Sequence, residues 1–280
     1  MLSSHTFAFL GAGNMARAII GGLIKGGEVA PDAVRAARRT ASMLGDLAAD
    51  FPGLVTTTDL AAAVEGASVV VLAVKPQGFS EVMAEVKDVL PEGALVVSIL
   101  AGITTRQIET ALGREVAVVR TMPNTPALVD EGATAICAGR YTRPEHLALA
   151  REVFRAVGKV EEVPESLMDA VTGLSGSGPA YIYMVIEALT DGGVKQGIPR
   201  PIAARLAAQT VLGAAKLVIE TGKHPAILRD EVTTPGGTAI AAVADLEAHG
   251  LRTMLINAVG TATARSQELA RLRAAADLED

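Results

Sequence analysis

The chain has 280 residues, half of them hydrophobic, which is enough for two domains with a sizeable buried core. A formal net charge of −6 argues against an extended nucleic-acid surface, and 3% aromatic residues with no Trp argue against base-stacking platforms. A single cysteine, Cys137, excludes an internal disulfide framework and points to a reducing, cytoplasmic location.

The first strand is expected at Thr6–Leu10 and leaves no room for a signal peptide before it. It runs into the glycine turn Gly11-Ala12-Gly13-Asn14-Met15-Ala16 and then a helix over 14–26. In this strand–turn–helix setting the glycines mark a dinucleotide site. Gly11 permits the tight turn, Gly13 lets a pyrophosphate approach the backbone, and Ala16 lets the helix pack closely on the strand. Free N–H groups and the partial positive charge of the helix start favour the phosphates. Further strands are expected at 34–37, 54–57, 69–74, 95–99 and 116–119, with helices over 42–50, 59–64, 78–89 and 104–112 between them. The unbroken run Val69–Val74 marks a strand buried on both faces of a parallel sheet. The fold class is therefore α/β, a Rossmann-type doubly wound sheet.

From residue 132 the rhythm changes. Residues 133–137 and 159–163 read as two closing strands, with a helix over 144–156 between them. Cys137 sits in the first of these and reads as a buried, inert thiol. Strand signals stop at Pro164, which sets the expected boundary between a dinucleotide-binding domain, 1–163, and an all-helical domain, 164–280. Helices are expected over 179–196, 200–221, 236–248 and 251–275, with Pro179 and Pro201 at helix starts. Several are apolar on more than one face. A second copy of the chain is the economical cover for them, so a homodimer built from this half is expected. No apolar stretch reads as reaching the ~20 residues of a membrane span, so no membrane partner is expected.

With the usual strand order, the first and fourth strands are neighbours at the switch point. The fourth leads into Ala73-Val74-Lys75-Pro76, which brings Lys75 beside Gly11 and Gly13, over a cofactor; the alternative is a solvated strand end. The second strand ends in Arg38-Arg39, with no acid to bind a ribose 2′-hydroxyl. Two guanidiniums suit a 2′-phosphate, so NADPH is favoured and NADH is the weaker alternative; a solvated basic loop is the other reading. Arg120-Thr121-Met122-Pro123-Asn124-Thr125-Pro126 reads as a stiff loop on the cofactor side, or as a structural turn. In the helical half, Gly173–Tyr181 and Thr233–Thr238 gather glycines and hydroxyl residues before helices, each a ready anion site. No Tyr has a Lys four residues on, the four His are far apart, and no Ser sits in a nucleophile elbow. No metal site is expected.

The segments Phe9–Met15, Ala73–Gln77, Arg120–Pro126, Gly173–Tyr181 and Pro235–Thr238, in this order, resemble pyrroline-5-carboxylate reductase along about residues 6–270. The resemblance implies reduction of 1-pyrroline-5-carboxylate to proline with NADPH or NADH, the last step of proline synthesis. It also implies a dinucleotide-binding domain followed by a helical domain that interlocks into dimers and, in many members, decamers. Gly11, Ala12, Gly13, Asn14, Met15, Arg38, Arg39, Ala73, Val74, Lys75 and Pro76 then fall on the cofactor. Gly236, Gly237 and Thr238 fall on the substrate carboxylate, with Ser177 and Gly178 shaping the same pocket. Many members carry a second threonine after the paired glycines. This chain has Ala239 there, leaving Thr238 or water to serve near the imine. A ring imine can carry its own proton, so a chain without a catalytic His or Tyr suffices for its reduction. A 3-hydroxyacid dehydrogenase of the 6-phosphogluconate type would need a lysine shortly after a glycine motif. The nearest, Lys195, lies too far beyond Gly178. A non-catalytic NADP-binding regulator would not need both helical-domain loops.

Overall fold

The structure is a computed structural model that describes residues 2–41 and 44–276. Eight strands form one sheet: β1 Phe7–Leu10, β2 Val34–Ala37, β3 Val55–Thr57, β4 Val69–Leu72, β5 Leu95–Ser98, β6 Ala117–Met122, β7 Gly132–Ala138 and β8 Gly158–Glu162. Their order is β3-β2-β1-β4-β5-β6-β7-β8. The pairings from β3 across to β6 are parallel, β7 runs antiparallel to β6, and β8 is parallel to β7. All residues of β1, β4 and β5 are buried, as the unbroken apolar runs require.

The two-residue period of each strand builds two cores. Phe7, Phe9, Val69 and Val71 face one way, against Ile19, Ile20 and Leu23 of α1 (Asn14–Lys25), Leu47 of α2 (Leu44–Asp50) and Phe154 of α6 (Pro144–Arg155). Ala8, Leu10, Val70 and Leu72 face the other way. They meet Leu60 of α3 (Leu60–Val64), Val82 of α4 (Phe79–Val86) and Ile108 of α5 (Thr105–Leu112). The sheet is doubly wound. The expected helix over 42–50 begins on residues 42 and 43, which lie outside the described residues.

One strand is longer than its sequence suggests. Arg120, Thr121 and Met122 belong to β6 rather than to a loop, paired with Cys137, Ile136 and Ala135. A charged residue in a sheet reads as a strand end. Here Arg120 is buried, and its guanidinium meets Glu165 at 3.2 Å. The sequence reading also lacked α7 (Met168–Val171), the π-helical turn Thr172–Gly176 and α10 (Pro225–Val232).

The chain divides into two compact units. The first holds the sheet and its helices, everything up to Ser177, together with the chain from Thr261 onward. Within it, Ser266 donates to Asp169 at 2.6 Å and Arg273 donates to the Ala101 carbonyl. The second, Gly178–Gly260, holds α8 (Gly178–Lys195), α9 (Arg200–Thr221), α10, α11 (Thr238–Ala248) and the start of α12 (Leu251–Ala276). Apolar side chains stand open along it, among them Met184, Leu212, Ile219 and Ile256.

The expectation that no stretch suits a membrane span is corrected by α9. Its 22 residues are long and apolar enough by length and composition, with a mean hydropathy of 1.5, and 11% of that window is buried in the single chain. Alanines carry this apolarity between isolated charges such as Arg205 and Lys216, so no long run of large residues announces it.

Candidate active site

The site begins where β1 ends. Gly11 has φ +99°, and a Cβ there would lie 2.6 Å from the carbonyl of Ala73 and the amide nitrogen of Val74. Only glycine lets the turn after β1 cross the end of β4 so closely. Gly13 is the N-cap of α1, without a side-chain acceptor, and a Cβ there would meet open space. The first turn of α1, which Asn14 and Met15 open, carries no acid. Its orphan N–H groups and the helix dipole therefore face a gap with no anion of the chain's own. These are the properties a pyrophosphate needs, and the cradle fits a dinucleotide.

The neighbouring strands complete the rim. Ala73 donates its N–H to Leu10 at 2.8 Å, and Lys75 follows, exposed, ahead of a 3-10 turn over Pro76–Gly78. The two arginines after β2 differ. Arg38 is half-buried and its Nη1 donates to the Ala12 carbonyl at 3.1 Å, inside the glycine turn. Arg39 is exposed and ion-paired with Glu81 on α4. The structure thus gathers Gly11–Met15, Arg38 and Ala73–Pro76 at the carboxyl edge of β1, β2 and β4. Arg39 is turned to a carboxylate instead.

At the same edge, beyond β6, the π-helical turn closes with the Ser177 N–H donating to the Thr172 carbonyl at 2.8 Å. The serine inside the turn and the one that follows it are not equivalent. Ser175 accepts from Asn124 and donates to Ala133, whereas the Ser177 hydroxyl has no partner among the described residues. Asn124 was not singled out from the sequence. The signal was an amide residue set between Pro123 and Pro126, in a loop too stiff to leave it idle.

An ion-paired group was also missed. Glu165 accepts from the Thr105 N–H and hydroxyl, both at 2.8 Å, and from Arg120. It ties the segment after β8 to the start of α5. Nearby Cys137 is buried. Burial first, and the Glu165 charge second, push its thiol up to about 12, so it cannot serve as a nucleophile. Among the described residues no group of His, Cys, Asp and Glu could hold a metal ion.

In the helical unit, Gly178 opens α8 with space around it. Gly237 is the N-cap of α11, again with no side-chain acceptor, and Thr238 is the first helical residue, exposed. Gly236 has φ +69°, and a Cβ on Gly237 would lie 2.3 Å from the Thr234 hydroxyl. Gly236 is therefore required by its left-handed φ, whereas at Gly237, with an ordinary φ of −76°, a side chain would have to displace the Thr234 hydroxyl.

Comparison with known proteins agrees with this layout. Residues 165–269 match the family model for pyrroline-5-carboxylate reductase dimerisation, and residues 6–102 match that of the coenzyme F420-dependent NADP oxidoreductases. The pyrroline-5-carboxylate reductase of Methanosarcina acetivorans is 47% identical over 96% of this chain and all of its own length. The chain belongs to the pyrroline-5-carboxylate reductase family. The Escherichia coli reductase is 40% identical over 94% of this chain and 97% of its own. Among solved structures, the Coxiella burnetii pyrroline-5-carboxylate reductase superposes with a TM-score of 0.89 at 40% identity, covering 95% of this chain and 98% of its own. The Plasmodium falciparum pyrroline carboxylate reductase, solved with NADP bound, gives 0.86 at 27% identity, covering 96% and 100%.

Proposed function

We propose that this reductase converts 1-pyrroline-5-carboxylate to L-proline, with NADPH preferred over NADH. The observation that carries the proposal is a pair of glycine-capped helix starts, Gly13 on α1 and Gly237 on α11, neither with a side-chain acceptor. Each favours an anion, and the reaction brings two: a dinucleotide pyrophosphate and a substrate carboxylate. Residues 1–163 serve the dinucleotide, and 164–280 serve substrate and self-association.

Gly11, Ala12, Gly13, Asn14 and Met15 hold the pyrophosphate, and Ala73, Val74, Lys75 and Pro76 line the nicotinamide ribose. Arg38, fixed by the Ala12 carbonyl, reads the 2′-phosphate, with Arg39 joining when it leaves Glu81. Gly236 and Gly237 offer backbone N–H groups to the carboxylate, Thr238 adds its hydroxyl, and Ser177 and Gly178 shape the pocket. Bound NADPH supplies the hydride. The chain's part is to orient the imine carbon within about 3–3.5 Å of the donor and to exclude water. The ring nitrogen arrives with its proton, so Ala239 in place of a threonine removes no required acid. The working form is a homodimer through the helical half, with a decamer as the larger assembly to look for, in the cytoplasm.

The deciding experiment is NADPH oxidation by the purified chain with pyrroline-5-carboxylate, beside NADP reduction with 3-hydroxyisobutyrate. Turnover is expected with the imine alone. No turnover between about pH 6 and 9 would overturn the proposal.

A further inference from the structure

Asn124 is nine-tenths buried at the carboxyl end of β6, the ligand edge of the sheet. Three of the four hydrogen bonds its side chain can make are made within the chain. Its Oδ1 accepts from the Ala133 N–H at 2.8 Å, and its Nδ2 donates to the Ser175 carbonyl at 3.2 Å and hydroxyl at 3.3 Å. Ser175 returns a weaker bond to the Ala133 carbonyl at 3.4 Å. One amide thus links the start of β7 to the π-helical turn Thr172–Gly176. Such turns are uncommon and concentrate at functional sites. Its last bond runs from the Ser177 N–H to Thr172, so Ser177 has its place fixed by the turn that Asn124 grips.

We propose that Asn124 is a positioning residue for substrate. By holding Ser175 it sets the π-helical turn against the sheet edge and so presents Ser177 at the imine-acid pocket. The inference rests on the assignment of Ser177 to that pocket. Both contacts of the Asn124 donor go to Ser175, its Oδ1 already accepts from Ala133, and the residue is nine-tenths buried, so it acts through Ser175 rather than as a ligand donor. It lies beyond β6, away from the glycine turn after β1, so its loss should leave the dinucleotide held as before.

The test uses the full-length protein and compares wild type with Asn124→Ala, Asn124→Asp, Ser175→Ala and, as a control on the pocket, Ser177→Ala. Steady-state KM for pyrroline-5-carboxylate, kcat, the NADPH Kd by fluorescence and Tm are measured for each. Asn124→Asp keeps the acceptor for Ala133 and loses the donors to Ser175, which separates anchoring of β7 from positioning of the turn. Both Asn124 variants should raise KM by about 10-fold or more. The NADPH Kd should stay within about twofold of wild type. Ser175→Ala, which retains the backbone carbonyl, should raise KM less, and it serves alone if the Asn124 variants do not fold. Wild-type KM in Asn124→Asp or, for unfolded Asn124 variants, in Ser175→Ala would overturn the inference. So would a rise in KM matched by an equal loss of NADPH affinity. A wild type without turnover, or Ser177→Ala with unchanged KM, would remove the pocket assignment itself and this inference with it.

Discussion

Arg38 and Arg39 read alike in sequence and differ in structure. Arg38 is braced by a backbone carbonyl of the glycine turn, whereas Arg39 is exposed and shared with Glu81. A braced guanidinium loses little entropy on meeting a phosphate, so Arg38→Ala should cost NADPH binding about 1.5–3 kcal/mol. Arg39→Ala should cost less than about 1 kcal/mol, the range of exposed pairs. Titration of each variant with both cofactors checks this: the double variant should lose NADPH affinity while NADH binding changes little. Equal losses for both cofactors would show that neither arginine reads the 2′-phosphate. Cys137 gives a second expectation. Its thiol is raised to about 12, so the fold favours the protonated form. That contribution is complete below the unfolded value of about 8.5 and declines as pH rises toward 12. Native protein should resist thiol reagents at pH 8 and take one equivalent when unfolded. Cys137→Ala should flatten the loss of stability above pH 9, and an unchanged alkaline slope would assign it to other groups.

At the scale of elements, the start of α11 is the sharpest case. Its N-cap is a glycine and its first turn holds no acid, so the chain offers no anion of its own to a helix start that favours one. Thr238→Ala should raise the KM for pyrroline-5-carboxylate by a factor corresponding to ~0.5–1.5 kcal/mol, with NADPH affinity unchanged. A variant that weakens NADPH and spares KM would assign this loop to the cofactor. Gly237→Val should be far worse, because the added Cβ crowds the Thr234 hydroxyl and a branched side chain then stands at the helix start where the carboxylate is expected. The strands were legible because burial on both faces leaves a run such as Val69–Leu72 with no polar break. β6 was cut short in the reading because Arg120 looks like a strand end until Glu165, 45 residues away in sequence, supplies its charge partner. The π-helical turn was illegible for the same reason. Glycines and serines say that a segment is not ordinary helix, but the grip of Asn124 that decides its shape is a contact of distant residues. α10 was legible in principle, since Pro225 stands at its start with His224 capping it.

At the scale of the whole molecule, the helical half leaves many apolar side chains open in the single chain. Leu206, Leu212, Leu217 and Ile219 of α9 stand exposed, yet a helix apolar on all sides is normally covered. The match of residues 165–269 to a dimerisation family supports a second copy as the cover. Each large side chain buried there contributes about 1.5–3 kcal/mol, counted twice by two-fold symmetry. Leu212→Glu with Ile219→Glu places four charges in such an interface. The double variant should sediment as a monomer and lose most imine-reducing activity, while NADPH titration stays near wild type because the glycine cradle lies in the other unit. Failure to bind NADPH would mean the fold itself had been lost, and a single Leu212→Glu variant would then be the cleaner probe. A monomeric variant with full activity at nanomolar protein would show that one chain suffices and that the apolar face of α9 serves some other contact. Flotation of the wild type with lipid vesicles would identify that contact as a membrane.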